Sequence, residues 1–259
     1  MFYNKADRIF AVSNAIKDDL VKNFRLDENK IRVIYNPYDI ERIKKLSQEQ
    51  IEEEYKEIFQ KPTIITAGRL SKQKGQWHLI RALKKVKEKI PEAKLVILGN
   101  GELENYLKEL AAGLGLEKDV YLLGFQKNPF KYIARSTLYV FPSLYEGFPN
   151  ALCEAMACGI PVISADCKSG PREILAPGSD INMETKNIEY EKYGVLIPVC
   201  NGKMYKYDDE LSKEEELLSK SIVTCIMNPD ILDDYSKKTL IRVKNFSKES
   251  IIDIWEDLI

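Results

Sequence analysis

Glu146 and Glu154 stand eight positions apart, with a Gly147-Phe148-Pro149-Asn150 turn and the opening of an apolar, alanine-rich segment between them. The run just before, Leu138-Tyr139-Val140-Phe141-Pro142-Ser143, reads as a buried strand. The order is strand, loop with one acid, then helix with a second acid in its first turn and Asn150 as N-cap candidate. A helix that starts at the end of a parallel strand presents free N–H groups and partial positive charge, which suits a phosphate. Glu154, about one turn or roughly 6 Å further along, is placed to accept hydrogen bonds from a ribose.

Three other segments fall at strand ends of the same sheet. Gly68-Arg69-Leu70-Ser71-Lys72-Gln73-Lys74-Gly75 puts Arg69 and Lys74 over the edge where phosphates would lie. A guanidinium fork and a compact ammonium both suit a diphosphate, although charged loops are also common solvated features. Gly99-Asn100-Gly101-Glu102 lets the backbone approach a ligand closely, or is simply a tight turn. It lacks the third glycine and the following acid of a dinucleotide fingerprint. At Gly124-Phe125-Gln126 the backbone could read a base edge with Phe125 as a wall, or Phe125 could belong to the core.

Other chemistries find little support. His78, the one histidine, lies beside Trp77 on a helical segment and reads as a packed or surface residue, so no Ser/His/Asp triad forms away from it. There is no Asp-x-Asp, no ligand-spaced His/Cys/Asp cluster and no Walker pattern, so neither a metal nor another cofactor is expected. Lys168-Ser169-Gly170-Pro171-Arg172-Glu173 is a polar turn that opens another helix at the same edge, either a contributor or only a loop. The net charge of −1 gives no bulk field for nucleic acid or an anionic membrane. Five cysteines without CxxC spacing point to reduced thiols in the cytosol. No apolar run nears the ~20 residues of a membrane span, and Asp7 and Arg8 interrupt any signal-peptide core.

These residues are positioned by alternating elements. Strands are predicted at 9–13 and 30–35, with a helix capped by Ser13 between them. Residues 40–60 read as a solvated helix or linker. From Pro62, strands at 63–68, 95–99, 120–124, 138–142, 161–165 and 193–198 alternate with helices at 76–89, 103–114, 129–136 and 150–158. Such continuously apolar strands imply a parallel sheet covered on both faces, which binds ligands beyond its strand C-termini. Residues 178–192 read as a surface loop. Helices follow from Asp209, the last capped by Ser247 and carrying Ile251, Ile252 and Trp255. The 259 residues suit one large or two small domains.

Gly68-Arg69-Leu70…Lys74-Gly75, the run from Glu146 to Ile163, and Ser169-Gly170-Pro171-Arg172-Glu173-Ile174-Leu175 together resemble the family 4 retaining glycosyltransferases of the GT-B fold. The resemblance covers residues 6–259. It implies an α/β fold of Rossmann-like parallel sheets with helices on both faces, this chain being the C-terminal, donor-binding half. Residues 1–40 then form the tail of an otherwise missing N-terminal acceptor domain, 41–61 a linker or helix, 62–208 the sugar-nucleotide-binding domain and 209–259 C-terminal helices. The resemblance also implies site roles. Gly68, Arg69 and Lys74 hold the donor diphosphate, and Glu146 faces the transferred sugar with the amides of Gly147 and Phe148. Asn150, Ala151 and Leu152 lie near the phosphates and Glu154 takes the ribose. Asn100, Phe125 and Gln126 frame the rest of the nucleotide.

The function so implied is transfer of a sugar, with retention, from a nucleotide-diphosphate sugar to a glycan or lipid-linked acceptor. A UDP-sugar is the favoured donor and surface polysaccharide synthesis the setting. The protein is expected in the cytoplasm, with at most peripheral contact at the inner membrane face. An isolated nucleotide-sugar-binding subunit and a nucleotide-sugar epimerase are the alternatives. A glycoside hydrolase using both acids is disfavoured, because the basic pair implies a phosphate.

Overall fold

The computed structural model describes residues 2–256. A short parallel pair comes first: β1 (Ile9–Ala11), α1 (Asn14–Lys22) and β2 (Ile31–Val33). Ser13 caps α1 as expected, its hydroxyl accepting from the Ile16 amide at 3.1 Å. After α2 (Ile40–Ser47) the main body is β3 (Thr63–Ala67), α3 (Gln76–Lys87), β4 (Lys94–Leu98), α4 (Glu104–Gly113), β5 (Val120–Gly124) and α5 (Phe130–Ile133). It continues with β6 (Leu138–Phe141), α6 (Asn150–Ala157), β7 (Val162–Ala165), α7 (Pro171–Leu175), β8 (Glu189–Glu191) and β9 (Gly194–Ile197). Three helices close the chain: α8 (Lys213–Ile226), α9 (Pro229–Val243) and α10 (Lys248–Glu256).

The sheet order is β5-β4-β3-β6-β7-β9-β8, parallel except for β8. Alternation along each strand feeds two cores. Ile64, Leu95, Ile97, Leu138 and Val140 face α3, α4 and α8. Ile65, Val96, Leu98, Tyr139 and Phe141 face α2, α5, α6 and α7. Both faces are thus dry, which is why the strands read as unbroken apolar runs. From β3 the chain winds outward through β4 and β5, and then returns to lay β6 on the other side of β3. The crevice between the carboxyl ends of β3 and β6 is therefore the topological switch point, where such sheets bind ligands.

Two sequence expectations are corrected. Residues 40–60 are not a solvated helix: α2 stops at Ser47, two 3-10 turns follow, and Ile43, Ile51 and Ile58 are buried in the second core. Their helical spacing marked a buried face that the surrounding charges disguised. Residues 178–192 are not all loop, since Glu189–Glu191 pairs antiparallel with β9. It is an edge strand with polar side chains, which leaves no apolar run to recognise. At the C-terminus Ser247 caps α10, accepting from the Ser250 amide at 3.1 Å. Ile251 is buried, and Trp255 meets Phe10 at 4.5 Å between ring centroids.

Candidate functional site at the sheet switch point

β3 ends at Ala67, and Gly68-Arg69 turn outward over the crevice. Gln76 pins this turn by donating to the Arg69 carbonyl at 2.9 Å. A 3-10 turn, Lys72–Lys74, then leads to Gly75, which sits at φ 64° and starts α3. A Cβ on Gly75 would lie 2.5 Å from the Pro142 carbonyl oxygen, so glycine permits the close approach of the β3 and β6 connections. Lys74 folds back across Gly68, where an added Cβ would lie 3.4 Å from its Cε. Its Nζ reaches Glu146 Oε1 at 2.5 Å and stands 5.3 Å from the Phe141 ring centroid. The two cations are therefore unequal. Lys74 is already paired with Glu146, whereas the exposed Arg69 guanidinium has no hydrogen bond or ion pair among the described residues.

The Glu146 loop is fastened to the segment after β7. The Glu146 amide donates to the Lys168 carbonyl at 2.8 Å, and the Ser169 amide donates back to the Glu146 carbonyl at 2.7 Å. Gly170, at φ 105°, packs under Pro149, where a Cβ would lie 2.4 Å from Pro149 Cδ. Phe148 turns its ring into the core against Tyr35 and Phe246, with centroids at 5.3 and 5.8 Å. Leu152 is fully buried and Ala151 half-buried. Among the described residues the amides of Gly147, Phe148 and Ala151 donate no hydrogen bond.

Asn150 is not the N-cap. It is the first helical residue, Pro149 holds the cap position, and no side chain caps α6. The Asn150 side-chain Oδ1 instead accepts from the Tyr38 hydroxyl and the Asn36 side-chain amide, both at 2.7 Å. Nor is Glu154 in the first turn of α6. It is half-buried, and no group among the described residues partners its carboxylate. Burial alone raises its pKa above the ordinary glutamate value. Both acids bear on one buried hydroxyl: Tyr139 is raised first by burial, then by the charges of Glu154 and Glu146. That hydroxyl bonds to the Ala67 backbone at 3.3 Å, at the carboxyl end of β3.

A cavity of about 460 Å³ opens beside this rim and is lined by Gly68, Arg69, Gly99, Asn100, Phe125 and Gln126, among others. Phe125 is 70% exposed and forms a wall, so it is no core residue. The Gln126 side-chain amide is occupied, donating to the Leu123 carbonyl at 2.6 Å. Its backbone is what remains for a ligand. A larger cavity of about 520 Å³ starts at Tyr145 and is lined by Lys168, Glu184, Lys186, Lys213 and Glu214; of the segments singled out in the sequence it holds only Lys168, from the polar turn after β7.

One feature of the site was not anticipated. Glu173 binds the start of α1, accepting from the Asn14 amide at 2.8 Å, the Ala15 amide at 3.0 Å and the Tyr35 hydroxyl at 3.1 Å. A carboxylate at a helix N-terminus is favoured by the dipole, and here it ties residues 9–35 to the main sheet. Away from the site, His78 is the packed residue of the two alternatives offered, fully buried with Nδ1 2.7 Å from Glu215 Oε1.

Comparison with known proteins agrees with this architecture. Residues 47–193 match the profile described as glycosyl transferases group 1, and residues 1–42 match that of glycosyltransferase family 4. The chain belongs to the group 1 glycosyltransferases. Its α/β fold is that of the GT-B neighbours. A glycosyltransferase of Methanocaldococcus jannaschii is 43% identical over 262 residues, covering 100% of this chain and 64% of the relative. The Campylobacter jejuni enzyme named N-acetylgalactosamine-N,N'-diacetylbacillosaminyl-diphospho-undecaprenol 4-alpha-N-acetylgalactosaminyltransferase is 35% identical, covering 97% of this chain and 59% of that one. Anabaena HepE, solved in complex with UDP, superposes with a TM-score of 0.76 at 25% identity, covering 98% of this chain and 64% of that one. This glycosyltransferase chain thus spans less than two thirds of the length of each of these relatives.

Proposed function

We propose that this chain binds the sugar-nucleotide donor of a retaining glycosyltransferase, with UDP-sugar as the substrate class. The carrying observation is one arrangement at the switch point. Among the described residues the Arg69 guanidinium at the end of β3 and the half-buried Glu154 carboxylate on α6 have no partner, and no side chain caps α6. In this reading the base lies in the 460 Å³ cavity against Phe125, with Asn100 and the Gln126 backbone at its edge. Glu154 accepts the ribose hydroxyls. The diphosphate lies between Arg69 and the start of α6 at Asn150, Ala151 and Leu152, at the positive end of the helix, and the amides of Gly147 and Phe148 face the transferred sugar. Glu146 meets the transferred sugar, and Lys74 bridges Glu146 to the phosphates.

Chemistry follows from this placement. As the bond from the anomeric carbon to the phosphate breaks, negative charge grows on the leaving diphosphate. Arg69, Lys74 and the helix amides are already oriented to stabilise that charge, in place of a metal ion. The acceptor hydroxyl attacks on the face the diphosphate leaves, which gives retention. HepE is described with UDP bound, and the Campylobacter relative is named for a diphospho-undecaprenol substrate. Both support a UDP-sugar donor and a glycan or lipid-linked acceptor for the whole protein. We place that reaction in surface polysaccharide synthesis, in the cytoplasm or at the inner membrane face. Among the described residues no helix is long and apolar enough to cross a membrane.

Calorimetric titration of UDP, GDP and ADP tests the reading. We expect one of them, UDP, to bind, and Arg69→Ala to weaken it by about 1.5–3 kcal/mol, the range of a hydrogen bond to a charged group. Unchanged affinity in Arg69→Ala refutes the assignment.

A further inference from the structure

The cavity of about 520 Å³ at Tyr145 takes no part in the donor reading, yet it shares its walls with the Glu146 loop. Tyr145 directly precedes Glu146. Lys168, another lining residue, accepts from the Glu146 amide on its carbonyl at 2.8 Å. Buried Asp166 fixes a further part of the lining. It accepts from Arg172 Nε on both carboxylate oxygens, at 3.1 and 3.0 Å, and from the Thr185 amide at 3.0 Å. That last bond anchors the 184–186 stretch. The Tyr145 carbonyl accepts from the Gln73 side chain at 2.9 Å. The Tyr145 side chain is left open: the residue is 59% exposed and has no ring contact among the described residues. The fold itself therefore builds this cavity, as it does most small-molecule sites.

The lining points to one class of ligand. Lys168, Lys186 and Lys213 line it together with Glu184 and Glu214, and the Asp166 charge is met by Arg172. Lys168 lies 3.5 Å from Glu184, while Lys186, Lys213 and Glu214 have no ion pair among the described residues. Charges of both signs, nearly balanced, do not focus the field that draws a phosphate. They do supply donors from the ammonium groups and acceptors from the carboxylates, beside an open aromatic ring. An uncharged sugar matches that set. Its hydroxyls donate and accept, and its C–H face packs on an aromatic surface. The volume falls within the ~300–1,000 Å³ of small-molecule pockets.

We infer that this cavity is an acceptor-glycan subsite, which takes uncharged sugar units next to the hydroxyl that is glycosylated. This rests on the donor-binding reading, which puts the transferred sugar at Glu146. It adds to the donor half a contact with the acceptor, whose binding the family resemblance assigns to the N-terminal domain. The test is saturation-transfer NMR on the chain, saturated with UDP, against chitobiose, lactose and maltose. We expect saturable binding of a disaccharide with Kd about 1 mM. Tyr145→Ala and Lys213→Ala each weaken it about tenfold, while calorimetry gives the wild-type UDP affinity for both variants, which also reports that they fold. Absence of saturable binding by all three disaccharides, or binding unchanged in Tyr145→Ala or in Lys213→Ala, overturns the inference while the donor-binding reading stands on its UDP affinity. Pyrophosphate binding to the UDP-saturated chain that Lys213→Ala abolishes reveals an anion site instead, and overturns it too. A wild-type chain that binds no UDP overturns both.

Discussion

Glu154 shows how one residue can trade stability for binding. Its carboxylate is half-buried without a partner among the described residues, and burial raises its pKa. A carboxyl raised on folding favours the native state while protonated. That contribution is present below the unfolded value, about 4.3, and is lost as pH rises through the folded one. At neutral pH the charged group therefore costs stability that a bound ribose would offset by donating hydrogen bonds. We expect Glu154→Gln to raise Tm at pH 7.5, with the gain shrinking toward zero by pH 4, and to weaken UDP binding about tenfold or more. Scanning calorimetry at the two pH values and one titration check this; a lower Tm for the variant at pH 7.5 contradicts it. At this scale the sequence was partly legible. The types and spacing of Arg69, Lys74, Glu146 and Glu154 stood out, but their present partners did not. Asn150 is held by Tyr38, 112 positions away, and Lys74 by Glu146, 72 positions away. Such pairings follow from the topology and leave no local signal.

The elements that carry these residues are braced from behind. α3, whose N-cap Gly75 directly follows Lys74, is clamped to α8 by Glu215. That buried carboxylate takes His78 Nδ1 at 2.7 Å and Arg81 Nε at 2.9 Å. Arg81 also donates to the carbonyls of Lys206, Asp209 and Glu210. Burial pushes the Glu215 pKa up, but the bonds from His78, Arg81 and the Ser212 amide outweigh it, so the net shift is downward. A carboxyl lowered on folding stabilises the native state above the unfolded pKa, and that stability is lost as pH falls through the folded value. Removing one partner of such a cluster leaves uncompensated buried charge. We expect Glu215→Ala to cost about 3–5 kcal/mol in urea unfolding at pH 7, with a smaller penalty as pH falls below the usual glutamate range. A cost under about 1 kcal/mol at pH 7 would show that the cluster does not brace α3. The strands of this layer were legible because both their faces are dry. β8 and the 40–60 segment were not, because an edge strand is polar and because the charges around Ile43, Ile51 and Ile58 hid the side that is buried.

At the scale of the whole molecule, chain order makes the site. The sequence returns from β5 to place β6 beside β3, and that one crossover brings the arginine loop of β3 to the acid loop of β6. Glu173 and Ser169 then join the β1–β2 segment to the same rim. A net charge of −1 means that anion binding depends on this local arrangement and not on bulk attraction. The central claim is that a nucleoside diphosphate is gripped at this crevice. A crystal of the chain soaked with UDP tests it most directly. The account expects the base beside Phe125, the ribose on Glu154 and the phosphates between Arg69 and the start of α6. Density confined to the larger cavity at Tyr145, Lys186 and Lys213, or anywhere else away from the β3–β6 crevice, would contradict it.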